Sequence, residues 1–389
     1  MPNRLLPRSV APAVLGCAAF LLIGWSSLLV PSLIRSIEAD FGQNDAGIGL
    51  FYLVNAIAYA AGSFGGGLLT ERFGWRKVLV MAALLHGGGL IVQAAVPSWT
   101  VFLLAGIPRG FGSGAIDGGV NGLYLELYPT ARGRALNILH LFFALGALGS
   151  PLAVGLLVSA GASWQGLVLA TALLSFPLAA LLAVAWLPSG RHSAGAKAGP
   201  KLGLMLPLLV LAIAIGCYVA AEIGVSNWLV RFLAAAPLSI ATGALSLFWG
   251  GLTVGRLVSA RVADRFDHTH FATASTLIAS VALVAAVVVP ALPVSIVLFG
   301  IVGFAFGPIY PVIMAIAGER FPDRSAAVSG FLAGTAVVGS VLYPPVMGFM
   351  SVTVGLPVAM LGLAILGFAC AAALLISGRP ASAQVGPGA

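Results

Sequence analysis

Two carboxylates, Asp117 and Glu222, stand well inside long apolar stretches of the sequence, whereas the other acidic residues fall in polar loops or near the ends of such stretches. A charge at the centre of a bilayer costs about 2.5–3.5 kcal/mol unless it meets water, a partner or a proton. Burial favours the neutral form of a carboxyl, so a group at this depth suits the binding and release of a proton. We predict that Asp117 and Glu222 are proton-coupling groups, with substrate binding as a second possible role of Glu222; the alternative is a static carboxyl hydrogen-bonded between helices.

Polar side chains stand one helical turn from both carboxylates. Asn121 follows Asp117 by four residues and Tyr218 precedes Glu222 by four, so each pair shares a helix face. Arg109, in the same stretch as Asp117, is predicted to face a cavity, where it holds an anionic substrate or neutralises an acid. Packing between helices explains these residues equally well, and Glu222 alternatively pairs with a polar neighbour near the helix end at Arg231. The remaining predicted substrate-binding residues are Trp25, Ser27, Asn137, His140, Asn227, Trp228 and Tyr310.

The composition requires a membrane environment. Of the 389 residues, 60% are hydrophobic and 8% are charged, against about 25% charged residues in soluble domains. The net charge of +8 comes from short basic clusters between apolar stretches, which is not the basic stripe of a nucleic-acid-binding protein. The sequence contains no Walker-type phosphate loop, metal-ligand spacing or nucleophile constellation. We therefore expect a membrane protein that is not an enzyme, that uses no cofactor other than a coupled proton, and that is monomeric, with a small-molecule substrate as its partner.

Twelve apolar stretches are long enough to cross a bilayer as helices, which takes about 20 residues each. Isolated strands are excluded because the hydrocarbon interior offers backbone groups no hydrogen-bonding partner. The predicted fold class is therefore an all-α integral membrane protein. Its predicted spans are 11–33, 46–69, 78–96, 100–125, 136–160, 165–187, 204–233, 238–260, 271–289, 294–317, 326–352 and 356–376.

The placement of Lys and Arg predicts the orientation, because cytoplasmic loops carry an excess of these residues. With both termini cytoplasmic, the opposite loops hold only Arg35 and Arg231. We predict a multi-pass protein of the cell membrane, inner or plasma. The basic residues then placed on the cytoplasmic side are Arg4, Arg8, Arg72, Arg76, Lys77, Arg132, Arg134, Arg191, Lys197, Lys201, Arg261, Arg265, Arg320, Arg324 and Arg379.

An internal repeat divides the chain into two halves. Residues 193 positions apart match along the sequence: Gly114 with Gly307, and Glu126 with Glu319. The repeat predicts two pseudo-symmetric six-helix bundles that share one orientation, with the substrate site between them near the middle of the membrane. The predicted boundaries are 1–187 for the first bundle, 188–203 for a cytoplasmic linker, 204–378 for the second bundle and 379–389 for a cytoplasmic tail.

The segment Gly67–Lys77, with the sequence GLLTERFGWRK, resembles the loop signature of the major facilitator superfamily between its second and third helices. Glu71 stands where that signature has an aspartate, and the second copy around Asp264 and Arg265 lacks the glycines. The resemblance implies the major facilitator fold of twelve helices and transport by alternating access.

A finer resemblance is to the fucose-permease-like group of sugar:proton symporters. It is carried by Asp117 with Asn121, by Arg134-Ala135-Leu136-Asn137, by the segment 217–222 that ends in Glu222, and by the segment 343–348. Ser27 replaces the acid that the fucose permease has in its first helix. The resemblance implies a sugar or sugar-like substrate moved with protons; the alternative is proton-driven efflux of drugs or amphiphilic metabolites.

Charged residues near the predicted cytoplasmic loops suggest a gate. Acidic and basic residues alternate there in both halves, and opposite charges at helix ends can hold one state of a transporter closed. The alternative is that these are solvated loop charges. The predicted cytoplasmic gate consists of Glu71, Arg72, Arg76, Glu126, Asp264, Arg265 and Glu319.

Overall fold

The computed structural model describes residues 10–188 and 206–377. Regular structure in both ranges is helical, with fourteen α-helices and two short 3₁₀ turns. Most of the predicted linker, all of the predicted tail and the basic residues before Val10 lie outside these ranges. The helices are α1 (Val10–Ser27), α2 (Leu29–Phe41), α3 (Asp45–Phe73), α4 (Trp75–Ala95), α5 (Trp99–Leu127), α6 (Arg132–Ser159), α7 (Trp164–Val184), α8 (Leu206–Phe232), α9 (Leu238–Val262), α10 (His268–Val288), α11 (Leu292–Phe306), α12 (Ile309–Arg320), α13 (Ser325–Val354) and α14 (Leu356–Ser377).

The helices provide twelve membrane crossings. Eleven helical segments of the described chain are long and apolar enough by composition to span a bilayer, with α1–α2 and α11–α12 each counting as one. The twelfth crossing is α5, which has 29 residues. Its glycines and Arg109 lower its hydropathy, although its length is sufficient. The predicted all-α fold with twelve spans is confirmed.

Two predicted spans are each built from two helices. The first span is interrupted at Leu28, between α1 and α2, and the tenth is interrupted at Gly307 and Pro308, between α11 and α12. A proline inside a helix cannot donate to the carbonyl four residues earlier, and its ring clashes with that carbonyl. Pro31 stands four residues after Ser27, where α1 ends, and Pro311 stands four residues after Gly307. The two interruptions therefore follow from these prolines.

The 193-residue repeat is present in the helix packing. A Cβ added to Gly62 would lie 2.1 Å from the Phe111 carbonyl oxygen, and one added to Gly255 would lie 2.0 Å from the Phe304 carbonyl oxygen. Both members of the second pair lie 193 residues after their counterparts in the first. Only glycine permits such a backbone approach, and small residues take this role in membrane helix packing. The two halves therefore pack α3 on α5, and α9 on the α11–α12 span, in the same way.

The described helices form two compact units. The first contains residues 10–188 together with Val225–Gly250 and Pro344–Ala359, so it includes the ends of helices from the second half of the chain. The second contains residues 206–224, Gly251–Tyr343 and residues 360–377. The predicted domain boundaries stay a prediction.

Candidate functional site

Asp117 is held by neutral hydrogen-bond donors within the first unit. The Asn121 side-chain amide donates to the Asp117 carboxylate over 3.1 Å and to the Asp117 carbonyl over 3.0 Å. The Tyr59 hydroxyl on α3 is a further hydrogen-bonding partner of the carboxylate. Among the described residues, no basic side chain lies within salt-bridge distance of Asp117. A proton can therefore join or leave this carboxyl without breaking an ion pair.

Close backbone packing at two glycines explains why α3 supplies the Tyr59 hydroxyl. A Cβ on Gly114 would lie 2.0 Å from the Tyr59 carbonyl oxygen, and a Cβ on Gly118 would lie 2.4 Å from the Ser63 carbonyl oxygen. These two glycines flank Asp117 on α5, so the α3 backbone lies directly against that part of the helix. The glycines thus set the distance across which Tyr59 reaches Asp117.

Glu222 has a different environment, in the second unit. It is buried and accepts a hydrogen bond from the Tyr218 hydroxyl. The Arg256 guanidinium on α9 lies 4.0 Å from its carboxylate and also hydrogen-bonds Tyr218. Arg231, which the alternative interpretation named for Glu222, forms salt bridges with Glu38 and Asp45. Sequence reasoning did not single out Arg256, which is half-buried and lies 34 residues beyond Glu222 on another helix.

The third charged group of the predicted site is Arg109, which is only 4% exposed. Its Nη2 donates to the Ser26 carbonyl oxygen over 2.6 Å, and its guanidinium carbon lies 5.8 Å from the centroid of the Phe51 ring. Its Nη1 has no hydrogen-bond partner in the part of the chain that is described. The residue is thus a buried cation with a backbone partner and an aromatic neighbour, and it forms no salt bridge with an acid among the described residues.

Some of the other predicted substrate residues are hydrogen-bonded to neighbouring groups of the protein, and others are exposed. The Trp25 indole donates to the Thr171 hydroxyl over 3.0 Å, and the Trp228 indole donates to the Pro344 carbonyl over 2.8 Å. These bonds satisfy both indole N–H groups within the first unit. The Ser27 hydroxyl donates to the Ile23 carbonyl of its own helix, and the Asn227 carbonyl accepts from Tyr52. Asn137 and His140 are exposed, while Tyr310 is half-buried and interacts electrostatically with Arg256.

Three of the four acids of the predicted cytoplasmic gate have partners other than the expected arginines. Glu126 accepts from the Trp75 indole over 2.6 Å, and Glu319 lies 2.7 Å from Nδ1 of His268. The second pair is the first displaced by 193 residues, so the repeat extends to these contacts. Asp264 also lies 3.4 Å from His268.

The basic residues of the predicted gate make other contacts. Arg76 donates to the Ala185 carbonyl, and Arg72 stacks on the neighbouring Phe73. Within the described ranges, no salt bridge involves Glu71, Arg72, Arg76 or Arg265. The cytoplasmic gate stays a prediction.

An ionic cluster that sequence reasoning missed lies at the opposite end of the helices, within the first unit. We call it the outer cluster and define it by Arg35, Glu38, Asp45, Arg231 and Ser351. Arg231 lies 2.7 Å from the Asp45 carboxylate and 3.0 Å from the Glu38 carboxylate. Ser351 on α13 donates to Asp45. The cluster thus ties α8 and α13 to α2 and α3.

Arg35 completes the outer cluster by binding backbone carbonyls at the C-terminal end of α8. Its guanidinium donates to the carbonyl oxygens of Val230, Leu233 and Ala236. The last carbonyls of a helix have no partner within the helix and carry partial negative charge, so a cation is stabilising there. The sequence did carry one signal, because Arg35 and Arg231 are the two exceptions to the charge bias of the loops.

Close backbone packing lies beside the outer cluster. A Cβ on Gly49 would lie 2.6 Å from the Pro345 carbonyl oxygen, and one on Gly348 would lie 2.4 Å from the Asp45 carbonyl oxygen. The Tyr52 hydroxyl donates to the Asn227 carbonyl over 3.0 Å. The parts of α8 and α13 that belong to this unit therefore contact α3 through backbone groups as well as through charged side chains.

The sequence matches that of the Major Facilitator Superfamily over residues 14–233 and 202–388. The chain belongs to this superfamily. It is therefore a multi-pass membrane transporter and not an enzyme, as the sequence predicted.

Relatives and solved structures agree with this family. NiaP of Bacillus subtilis (strain 168), provisionally named a niacin/nicotinamide transporter, is 36% identical over 124 residues, which are 32% of this chain and 31% of NiaP. An uncharacterized transporter of the superfamily from Yersinia pestis is 24% identical over 82% of this chain and 86% of its own length. The solved structure of a D-xylose-proton symporter superposes with a TM-score of 0.77 at 17% identity, covering 95% of this chain and 97% of the symporter. That likeness establishes the fold alone.

Proposed function

We propose that this transporter moves a sugar or sugar-like solute together with protons by alternating access, and that Asp117 is the group that takes up the coupled proton. The observation that carries the proposal is the setting of Asp117: a carboxyl within a membrane-crossing helix, bound by an amide and a hydroxyl and without a basic partner in the described chain. Neutral donors of this kind can bind either the charged or the protonated form. Protonation can then bias the equilibrium between two conformations.

Glu222 is the weaker candidate for the coupled proton, because Arg256 lies beside it. Neutralising Glu222 would leave Arg256 without its acidic neighbour. We propose instead that Glu222, Tyr218 and Arg256 act together as a polar group that binds solute hydroxyls. Carboxylate, phenol and guanidinium supply the acceptors and donors that such hydroxyls require.

A small organic anion is a second candidate substrate, and Arg109 favours it. A buried guanidinium with one free nitrogen and no acid can bind a carboxylate through charge-assisted hydrogen bonds. The partial match to NiaP is in line with this candidate, since niacin is a carboxylate. We further propose that the protein acts as a monomer in the cell membrane with both termini cytoplasmic, and that the outer cluster is a gate.

Flux measurements test these proposals. The purified full-length chain in proteoliposomes is offered radiolabelled sugars, nicotinate and a cationic amphiphile, with and without an inward-directed proton gradient. We expect accumulation of a sugar that requires the gradient. Gradient-driven uptake of nicotinate alone would favour the anion, and gradient-driven loss of the amphiphile alone, from proteoliposomes preloaded with it, would favour the efflux alternative; either result would contradict the proposal of a sugar substrate.

A further inference from the structure

An apolar groove lies between α3, α4 and α5 in the first unit. It has a volume of about 250 Å³, and its lining includes Leu69, Phe73, Lys77, Met81, Phe111 and Ala115. Most of these side chains are apolar, and Met81 and Phe73 are 57% and 44% exposed. The groove is therefore accessible from outside the packed helices.

Two cations stand at the end of this groove that the charge bias predicts to be cytoplasmic. Lys77 is exposed and belongs to the lining. The Arg72 guanidinium lies 5.3 Å from the centroid of the Phe73 ring, which is itself part of the lining. Within the described ranges, neither cation forms a salt bridge. The groove therefore joins an apolar trough to an uncompensated positive end.

We propose that this groove binds an anionic phospholipid, with an acyl chain along the apolar trough and the phosphate at Lys77 and Arg72. The groove is smaller than the roughly 300–1,000 Å³ of a cleft for a compact small molecule. Its apolar lining, with Met81 and Phe73 exposed, suits a flexible acyl chain instead. Basic residues beside helices on the cytoplasmic side attract anionic head groups, at about 1 kcal/mol for each Lys or Arg.

A phospholipid in this groove would be a ligand of the Gly67–Lys77 segment, which also contains residues of the predicted cytoplasmic gate. A phosphate at Lys77 and Arg72 would neutralise the basic end of the groove and hold α3 and α4 together where Gly74 joins them. The lipid would thus stabilise the first unit without entering the path of the solute.

Binding is measured by native mass spectrometry and by thermal unfolding of the full-length protein in detergent. The probes are dioleoylphosphatidylglycerol and dioleoylphosphatidylcholine, which share acyl chains and differ in head-group charge. We expect phosphatidylglycerol alone to stay bound and to raise the Tm. Lys77→Gln should weaken its affinity roughly fivefold, which corresponds to the contribution of one lysine, and Met81→Trp should reduce binding by filling the trough.

Arg261→Gln is the matched control, because Arg261 is an exposed cation at the same predicted end of another helix. It removes the same charge and should leave the affinity for phosphatidylglycerol unchanged. Equal binding of the two lipids by the wild-type protein would overturn the proposal. So would an unchanged affinity in both Lys77→Gln and Met81→Trp, provided that their Tm values without added lipid equal that of the wild-type protein.

Discussion

At the scale of single residues, the two membrane carboxylates differ in what their neighbours allow. Asp117 is bound by Asn121 and Tyr59, which stay neutral, whereas Glu222 lies beside Arg256. A carboxyl of the first kind can change its charge at little cost to its surroundings. For a carboxyl of the second kind, loss of its charge would leave the half-buried Arg256 without an acidic partner.

This difference predicts a coupling between Glu222 and Arg256. Arg256→Gln should lower the thermal stability of the purified protein, since it leaves a buried carboxylate without a cation. Adding Glu222→Gln should restore part of that loss, and the coupling energy should fall in the usual range of about 0.5–3 kcal/mol for residues in contact. Thermal unfolding of the two single variants, the double variant and the wild-type protein measures it. Strictly additive losses would show that the pair does not interact.

The sequence alone could locate the carboxylates but not their partners. Asp117 and Asn121 are four residues apart, so their contact follows from helix geometry. Tyr59 contacts Asp117 and Arg256 lies beside Glu222, each from another helix. These contacts depend on helix packing, which the periodicity of a single sequence does not encode. Arg231 is a further example, because its salt bridges to Glu38 and Asp45 also join residues from different helices.

At the scale of helices, the outer cluster joins α8 and α13 to α2 and α3 within the first unit. Arg231 should stabilise the outer cluster through its two charge-assisted contacts. Hydrogen bonds to charged groups are worth about 1.5–3 kcal/mol each. Arg231→Gln should therefore raise the fraction of molecules open at this end by about tenfold or more, since 1.4 kcal/mol corresponds to a factor of ten.

Labelling of a buried position beside the outer cluster measures this opening. Tyr52 is buried and hydrogen-bonded to the Asn227 carbonyl. In a variant with the three native cysteines replaced and Tyr52→Cys introduced, Arg231→Gln should speed the reaction with a membrane-impermeant maleimide by a similar factor. Arg261→Gln, which also removes an arginine charge but lies outside the cluster, should leave the rate unchanged. Equal rates in all three backgrounds would contradict the role of the cluster as a gate.

Glycine packing makes a second prediction for the helices. Gly114→Ala and Gly307→Ala would place a Cβ 2.0 Å and 2.5 Å from the carbonyl oxygens of Tyr59 and Leu252. Both should lower the free energy of unfolding by at least about 1–3 kcal/mol, the usual cost of overpacking. Gly243→Ala should be neutral or slightly stabilising, because a Cβ there meets nothing within 4 Å. Equal stability of Gly114→Ala and Gly243→Ala in thermal unfolding would contradict this packing.

The helices themselves were largely predictable from the sequence, for a physical reason. Hydrocarbon requires each crossing to be long, apolar and helical, so composition fixes the spans to within a few residues. The interruptions at Leu28 and at Gly307–Pro308 were missed, although Pro31 and Pro311 cause them. Pro108, Pro151 and Pro177 stand inside unbroken helices, so a proline alone does not distinguish a break from a tolerated position.

At the scale of the whole molecule, the duplicated sequence gives two related sets of helix contacts with different chemistry. The repeat places Tyr310 where the first half has Asp117, and His268 where the first half has Trp75. The shared backbone packing is a consequence of duplication, whereas these side chains have diverged. We infer that the first half supplies the proton site and the second half the fixed charges for solute hydroxyls.

The most direct test is proton uptake coupled to solute entry in Asp117→Asn. Proteoliposomes containing the wild-type protein should acidify internally when a transported solute is added outside without a pH gradient, as reported by a trapped pH-sensitive dye. Asp117→Asn should abolish the acidification but retain exchange of labelled for unlabelled solute, while Asp267→Asn, the same change in an exposed loop acid, should behave as the wild type. Undiminished solute-dependent acidification in Asp117→Asn would contradict the account.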